Sequence, residues 1–540
     1  MKRKAVLGIM LTLLFTGILS LTFDIQQVEA SGTIYIKADG NIEGTTDIST
    51  VDNVTYTFTD NIFNQSIIVE RDDIVVDGAG YTLQGTGEGT GISLSGRSNV
   101  TIKNTNIQNF SYGISLYNSS FNNSISWNNI TENNGNGIHL YSSSNNSISG
   151  NNITANSLYG IYLEYSSNNS ISGNVFVDEG LTVWYSFGNV VVDNLVNGKP
   201  LVYLEGVSDV AVEDAGQVVL VNCTRIRVEN LNLSYTDVGV ELFHTTNTTI
   251  SENNITENNG NGIHLYSSSN NSISGNNIAN NEDGIRLDYS SNNNSIAGNN
   301  IIANNLEGIW LSESSDNNSI SGNNIRNNYG GIYLYSSSNN SIYHNNFINN
   351  TEQVYSQSST NVWDNGFPSG GNYWSDYTGV DANMDGVGDS SYEIDLMDID
   401  HYPLMGMFSD FSATLEEETY HVTTVCNSTI SAFEFDEVNR IIRFNVTGEE
   451  GMGFCRVCIP HALTEPPYTV TVDRQSPLYV NDTLYDNGTH RWIYFTYQHS
   501  THEVEIIPEF PTWTPMLLIL TGLTVIIIIY KRRLLKTPIH

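Results

Sequence analysis

At 540 residues the chain has room for two or three domains. With 58 Asp and Glu against 21 Lys and Arg, its formal charge is -37, which repels a phosphate backbone and argues against nucleic acid as a partner. Only 15% of residues are charged, so the acidity is spread over a polar, uncharged surface and is not an acidic tail; four cysteines are too few for a disulfide scaffold.

The first segment reads as an export signal. Lys2, Arg3 and Lys4 precede an apolar run from Ala5 to Leu21, and Val28 and Ala30 are small residues before a cut, so residues 1–30 are expected to be removed. From 31 to 407 one unit recurs. A Gly followed by a β-branched residue stands at Gly91, Gly113, Gly137 and Gly160, then at Gly239, Gly262, Gly284, Gly308 and Gly331, in steps of 22–24 residues. The unit reads G-I-x-L-x-x-S-x-x-N-x-S-I-x-x-N-x-I-x-x-N, and NGNGIHLYSSSNNSISGNNI occurs twice, from Asn134 and from Asn259. A regular period of this kind signals a solenoid. Apolar residues at i and i+2 predict short strands, and Asn and Gly between them supply left-handed turns. Stacking should set each Ile over the next Ile and each turn Asn over another Asn, with amides hydrogen-bonding along the stack.

Between 181 and 238 the rhythm breaks. Strand-like runs persist at 190–192, 201–204 and 218–221, which predicts irregular coils with a longer loop around Gly198 and Glu205. Farther on, "DANMDGVGD" places Asp381, Asn383 and Asp385 at alternate positions, with Gly386 for a sharp turn, a carbonyl from Val387 and then Asp389. This is the spacing of a calcium loop, with Tyr392 where a closing Glu would stand, and it predicts a structural calcium at the end of the solenoid.

From 408 to 507 the Asn and Ser content falls and alternation takes over, as in "RIIRFNV" and "RWIYFTY", which predicts a small antiparallel β-sandwich. Cys426, Cys455 and Cys458 lie here, and Cys223 lies upstream. They allow one structural disulfide involving Cys426, or a redox or zinc pair from Cys455 and Cys458. Residues 508–540 carry "IPEFPTWTP", an apolar stretch over 513–530 and then Lys531, Arg532 and Arg533, the pattern of a short membrane anchor. N-x-Ser/Thr sequons, Asn222, Asn427 and Asn445 among them, make the exported chain a candidate glycoprotein, although "NNS" is part of the coil itself.

In G-I-x-L-x the Ile and Leu should point inward and the residues between and after them outward. The outward columns carry His139, Tyr141, Tyr162, His264, Tyr266, Trp310, Tyr333 and Tyr335. Such rings can stack on sugar faces while polar neighbours take hydroxyls, so these residues form the candidate binding face for carbohydrate or a cell-surface polymer. Aromatic ladders that only pack cross-strand are the alternative. Catalysis would need paired carboxylates, or a base beside a cation; Glu164, Glu241, Asp288 and Arg286 are the candidates, scattered over several coils. His139 and His264 lie about five coils apart and cannot share a copper ion, so copper is disfavoured.

Several stretches then carry a resemblance: "NVTYTFTDNIFNQSIIVERDDIVVDGAGYTLQG", "VNGKPLVYL", "AGQVVLVNCTRIRVENLNLS" and "GGNYWSDYTGVDANMDGVGDSSYEIDLMDIDHYPLM". Over 31–407 the chain resembles right-handed parallel β-helix proteins of the pectin-lyase-like class, in particular the NosD-like branch seen in exported archaeal proteins. The resemblance implies a right-handed parallel β-helix; with the sandwich and the anchor read above, the expected chain is all-β with a C-terminal transmembrane helix. Families of this class include carbohydrate-binding and sugar-cleaving proteins and a periplasmic accessory factor for copper-site assembly. "IPEFPTWTP" is similar to the Pro-Glu-Phe sorting signals of archaeal surface proteins. The expectation is an exported, membrane-anchored surface protein that binds carbohydrate without catalysis. The rivals are a polysaccharide lyase or hydrolase, a structural envelope or adhesion protein, and a copper-site accessory protein.

Overall fold

The computed structural model describes residues 32–509 and 523–531. The expected signal peptide lies outside the described residues, as do residues 513–522 of the expected anchor. The described part of that segment is an exposed helix over 523–531, and among the described residues no helix is long and apolar enough to cross a membrane.

Residues up to Thr248, with Asn253–Leu265, form one compact unit; Thr249–Glu252 and the residues from Tyr266 onward form the other. In the first unit each regular coil supplies three short strands, as in Ile138–Tyr141, Ser147–Ser149 and Asn152–Thr154. Each pairs in parallel with its equivalent one coil on, so that Ile138 meets Ile161, Ile148 meets Ile171 and Ile153 meets Phe176. These inward columns are fully buried, each such side chain contributing about 1.5–3 kcal/mol.

Asn145 and Asn168 take left-handed backbone, with φ of 59° and 57°. Beside them Asn146 and Asn169 turn inward and are bonded to each other, and a second column of inward Asn follows at the next corner. In one column Asn128, Asn151, Asn174 and Asn194 are linked by Nδ2 to Oδ1 bonds of 3.0, 2.9 and 2.9 Å. A buried amide without such partners would be costly, and here each coil supplies them to the next.

The break in the rhythm has a local cause. Asn197 and Gly198, both at positive φ, make the two-residue turn that favours a β-hairpin. Leu195 pairs with Pro200 and Val196 with Lys199 in an antiparallel hairpin, which diverts the chain from the solenoid path. The strand Leu181–Trp184 is consequently the last of its eight-stranded sheet. Side chains substitute for the next strand: Leu181 N donates to Gln217 Oε1 (2.9 Å), Gln217 Nε2 donates to Leu181 O (2.9 Å), and Val183 N donates to Glu241 Oε2 (3.3 Å). Parallel pairing then resumes from the strand Lys199–Glu205 to Gln217–Val221 and on to Val240–Phe243.

The second unit contains further coils, with Ile285–Asp288, Glu307–Ser312, Gly330–Tyr335 and Glu352–Gln357 paired in parallel. Two antiparallel sheets follow, of five and four strands. They share one buried cluster that includes Val422, Phe444, Val457, Phe495 and Ile506. A disulfide joins Cys426 to Cys455 on adjacent strands, while Cys458 is a buried free thiol, so Cys455 and Cys458 do not form a redox pair.

Candidate functional site

The alternation correctly gives the direction of the outward residues in the first unit and overstates their exposure. His139 is 5% exposed, and His264 and Glu241 are buried as well. Neighbouring coils bring rings of similar size side by side, and each covers the next. His139 stacks between Tyr112 (5.5 Å) and Tyr162 (5.2 Å). Its Nδ1 lies 3.0 Å from the Tyr117 hydroxyl and its Nε2 3.3 Å from Glu164 Oε2. Tyr117 titrates above the usual phenol range because burial disfavours the phenolate. Tyr141 stays half-buried between Tyr117 and Tyr165. Of the four carboxylate and guanidinium candidates, then, Glu164 gains a histidine partner in this unit.

Glu241 has a different role. Its carboxyl is buried beneath the break, and burial pushes its pKa up to about 8. Nearby, Glu179 stands where an Asn would continue a ladder: Asn133 donates to Asn156, and Asn156 N donates to the Glu179 carboxyl. Asp237 accepts from Gly160 N (2.9 Å). Glu179 and Asp237 are buried beside each other; burial and the neighbouring carboxylate hold Glu179 well above the usual range, and burial raises Asp237 too. These acids are structural parts of the break. Gln217 and Glu179 were missing from the sequence reading. The signal for Glu179 was available: it follows Asn133 and Asn156 at the same 23-residue step.

A more open arrangement lies on another side of the same unit. Trp127 is 71% exposed and takes left-handed backbone, φ 57°, a conformation that costs a bulky residue about 1–2 kcal/mol. The equivalent turn one coil on is Gly150. A Cβ there would lie 3.1 Å from the indole Cε3, so glycine lets the ring settle closely against the next coil. The surrounding groove, about 340 Å³, is lined by Asn104, Asn106, Asn129 and Asn152 among others and contains no acidic or imidazole side chain. Asn152 Nδ2 donates to Asn129 Oδ1 (2.7 Å). The signal in the sequence was a tryptophan at a turn position that most other coils fill with Asn or Gly.

In the second unit the expected face is again partly covered. Tyr266, Tyr333 and Asp288 are buried, Tyr266 at 1% exposure. Arg286 lies 4.5 Å from the Trp310 ring, Trp310 stacks on Tyr333 at 4.2 Å, and Tyr333 stacks on Tyr355 at 4.9 Å. Ring faces in this ladder are turned to one another, which leaves mainly edges for a ligand; Tyr335 is half-buried. Arg286 does meet Asp288 (2.6 Å) and Asp283 (3.5 Å). Buried Glu307, whose pKa burial and the Asp283 charge push up to about 7, adds a further acid, with its amide donating to Asp283.

The acidic loop at 381–389 closes on itself. Asp381 accepts from the amides of Asp385 (2.9 Å) and Gly386 (2.8 Å), Asp385 accepts from Val387 N (2.8 Å), and Asp389 accepts from Ala382 N (2.8 Å). Asn383 Nδ2 donates to Asp385 (3.1 Å), and the Val387 side chain is buried against Leu404 and Phe408. Among the described residues no three His, Cys, Asp or Glu side chains converge as a metal site.

Comparison with known families adds to these observations. The model of the periplasmic copper-binding protein (NosD) family matches residues 177–379, and that of the right handed beta helix region matches residues 48–224. The chain is a right-handed β-helix repeat protein. No curated protein matches its sequence. Among solved structures, this β-helix chain is similar to the Dettilon tailspike protein gp208 at 13% identity, covering 82% of this chain and 87% of that one, with a TM-score of 0.23. It is also similar to the periplasmic alginate epimerase AlgG at 16% identity, covering 58% and 78%, TM-score 0.25. The A-module of the Azotobacter vinelandii mannuronan C-5 epimerase AlgE4 is 18% identical, with coverage of 56% and 85% and a TM-score of 0.27.

Proposed function

We propose that this β-helix protein binds carbohydrate without catalysis, is displayed at a cell surface, and holds its ligand against Trp127. The observation that carries this reading is the 71% exposed indole, kept in costly backbone geometry and seated on Gly150. An open ring beside a column of side-chain amides suits a sugar, whose CH face stacks on the indole while its hydroxyls take amide donors and acceptors. The groove lining has no group with a pKa suited to acid–base work, which favours binding over turnover. Surface display and anchoring are supported by the terminal sequences alone.

The hydrogen-bonded series Tyr117, His139 and Glu164 favours a second reading, a polysaccharide lyase or hydrolase, because it could move a proton. A panel of neutral and acidic polysaccharides, assayed for both binding and shortening, separates the two. Trp127→Ala should lose at least tenfold in affinity with unchanged melting. Unchanged affinity in that variant overturns the proposal. Chain shortening abolished by His139→Gln or Glu164→Gln would establish the enzyme instead.

A further inference from the structure

Within the second unit, the outer strands Asn300–Ile302, Asn324–Arg326 and Asn346–Ile348 face the beginning of the antiparallel sheets across a cleft of about 240 Å³. Its position is fixed by Asn346, whose side-chain amide exchanges two bonds with the Phe408 backbone: Nδ2 donates to the carbonyl (2.9 Å) and Oδ1 accepts from the amide (2.8 Å). Ser428 and Thr429 line the cleft from the antiparallel sheets.

Two features set this cleft apart from the ordinary outer surface of the coils. The first is charge. Arg326 is exposed and stands in register between Ile302 and Ile348, and its guanidinium makes no hydrogen bond or ion pair among the described residues. No Asp or Glu lines the cleft, although the chain has 58 such residues. The second is a gap in an amide column. Asn300 Nδ2 donates to Asn277 Oδ1 (3.1 Å) and Asn346 Nδ2 to Asn324 Oδ1 (2.7 Å). Between Asn324 and Asn300 the corresponding bond is not made, which leaves an amide donor and an amide acceptor at the cleft.

We propose that this cleft binds an acidic sugar unit, a uronate, through Arg326, Asn324 and Asn300. A guanidinium fork matches a carboxylate. An amide donor and an amide acceptor suit adjacent sugar hydroxyls, each of which both donates and accepts. The site shares no residue with the Trp127 groove, and the inference stands whether or not that groove binds sugar.

The test is calorimetric titration of the full chain with galacturonate trimer, with the neutral galactose trimer and with acetate. The uronate trimer should bind, the neutral trimer should bind at least tenfold more weakly, and acetate should not compete at matched concentration. Arg326→Gln should lower uronate affinity at least tenfold, and Asn324→Asp should lower it as well, by setting a carboxylate against a carboxylate. In a Trp127→Ala background, Arg326→Gln should cause the same fold loss. Arg326 is exposed and unbonded, so the melting temperature of Arg326→Gln should match the parent. Absence of uronate binding, equal binding by Arg326→Gln, or competition by acetate would each overturn the proposal.

Discussion

Glu241 shows how a residue chosen for chemistry can serve the fold. Its carboxyl accepts the Val183 amide at 3.3 Å in a fully covered position, and its pKa of about 8 stands above the usual 4.5. Because the folded-state value is raised, the folded chain holds a proton that the unfolded chain releases. Stability is therefore complete below about pH 4 and falls as pH rises toward 8. Glu307, at about 7, acts in the same direction over a slightly lower window. Urea unfolding at pH 5 and pH 8 should give the higher midpoint at pH 5, and Glu241→Gln should reduce the difference, by an amount on the order of a few kcal/mol. An unchanged pH profile in Glu241→Gln would show that its ionisation is met by water. The sequence placed Glu241 between Val240 and Leu242 on the outward side, which is its true direction. It could not show that the hairpin at Asn197 and Gly198 would leave the edge of Leu181–Trp184 for this carboxyl to cover.

The corner amides and the break offer two tests of how single elements hold. Asn151 accepts from both N and Nδ2 of Asn128, and its own Nδ2 donates to Ile125 O and Asn174 Oδ1. Asn151→Ala leaves several buried groups without partners and should cost about 2–4 kcal/mol, read as a lower urea midpoint. Asn145→Ala, at an exposed left-handed turn, should cost less, about 1 kcal/mol. Equal losses would mean that turn strain, not the ladder, governs the corner. Gln217 bonds the backbone of Leu181 through both side-chain atoms and also donates to Val238 O (3.0 Å). Gln217→Ala should uncouple the coils on either side, and hydrogen exchange should then show faster opening at Leu181 than at Ile138. The ladder was legible because every coil repeats its Asn at the same step. Gln217 was not, since a solitary Gln in a run of valines has no repeat to compare with and its partner is a backbone edge. Trp127 lay between these cases: it was visible as an exception to the Asn and Gly turns, but Gly150 becomes its support only once the coils are stacked.

At the scale of the whole chain, order inside the coils is built mainly from neutral groups, and most of the charge is left outside. The inward columns are Ile, Leu and Phe, and the buried polar groups that link coil to coil are predominantly Asn and Ser. The formal charge of -37 is then poorly compensated, and pairs such as Arg225 with Asp209 are more than half exposed on both sides, where water and salt screen them. Unneutralised like charge destabilises a compact state by self-repulsion. Salt should relieve it, because the screening length falls from about 30 Å at 0.01 M to about 3 Å at 1 M. The melting temperature should therefore rise with sodium chloride over this range, most steeply at the low end. Calcium and magnesium chloride at matched ionic strength separate screening from binding, since the carboxylates of Asp381, Asp385 and Asp389 accept loop amides and keep lone pairs for a cation. A rise specific to calcium that Asp381→Asn removes would instead place calcium in that loop. A melting temperature flat across all salts would mean that the charges are spread too far apart to act on one another.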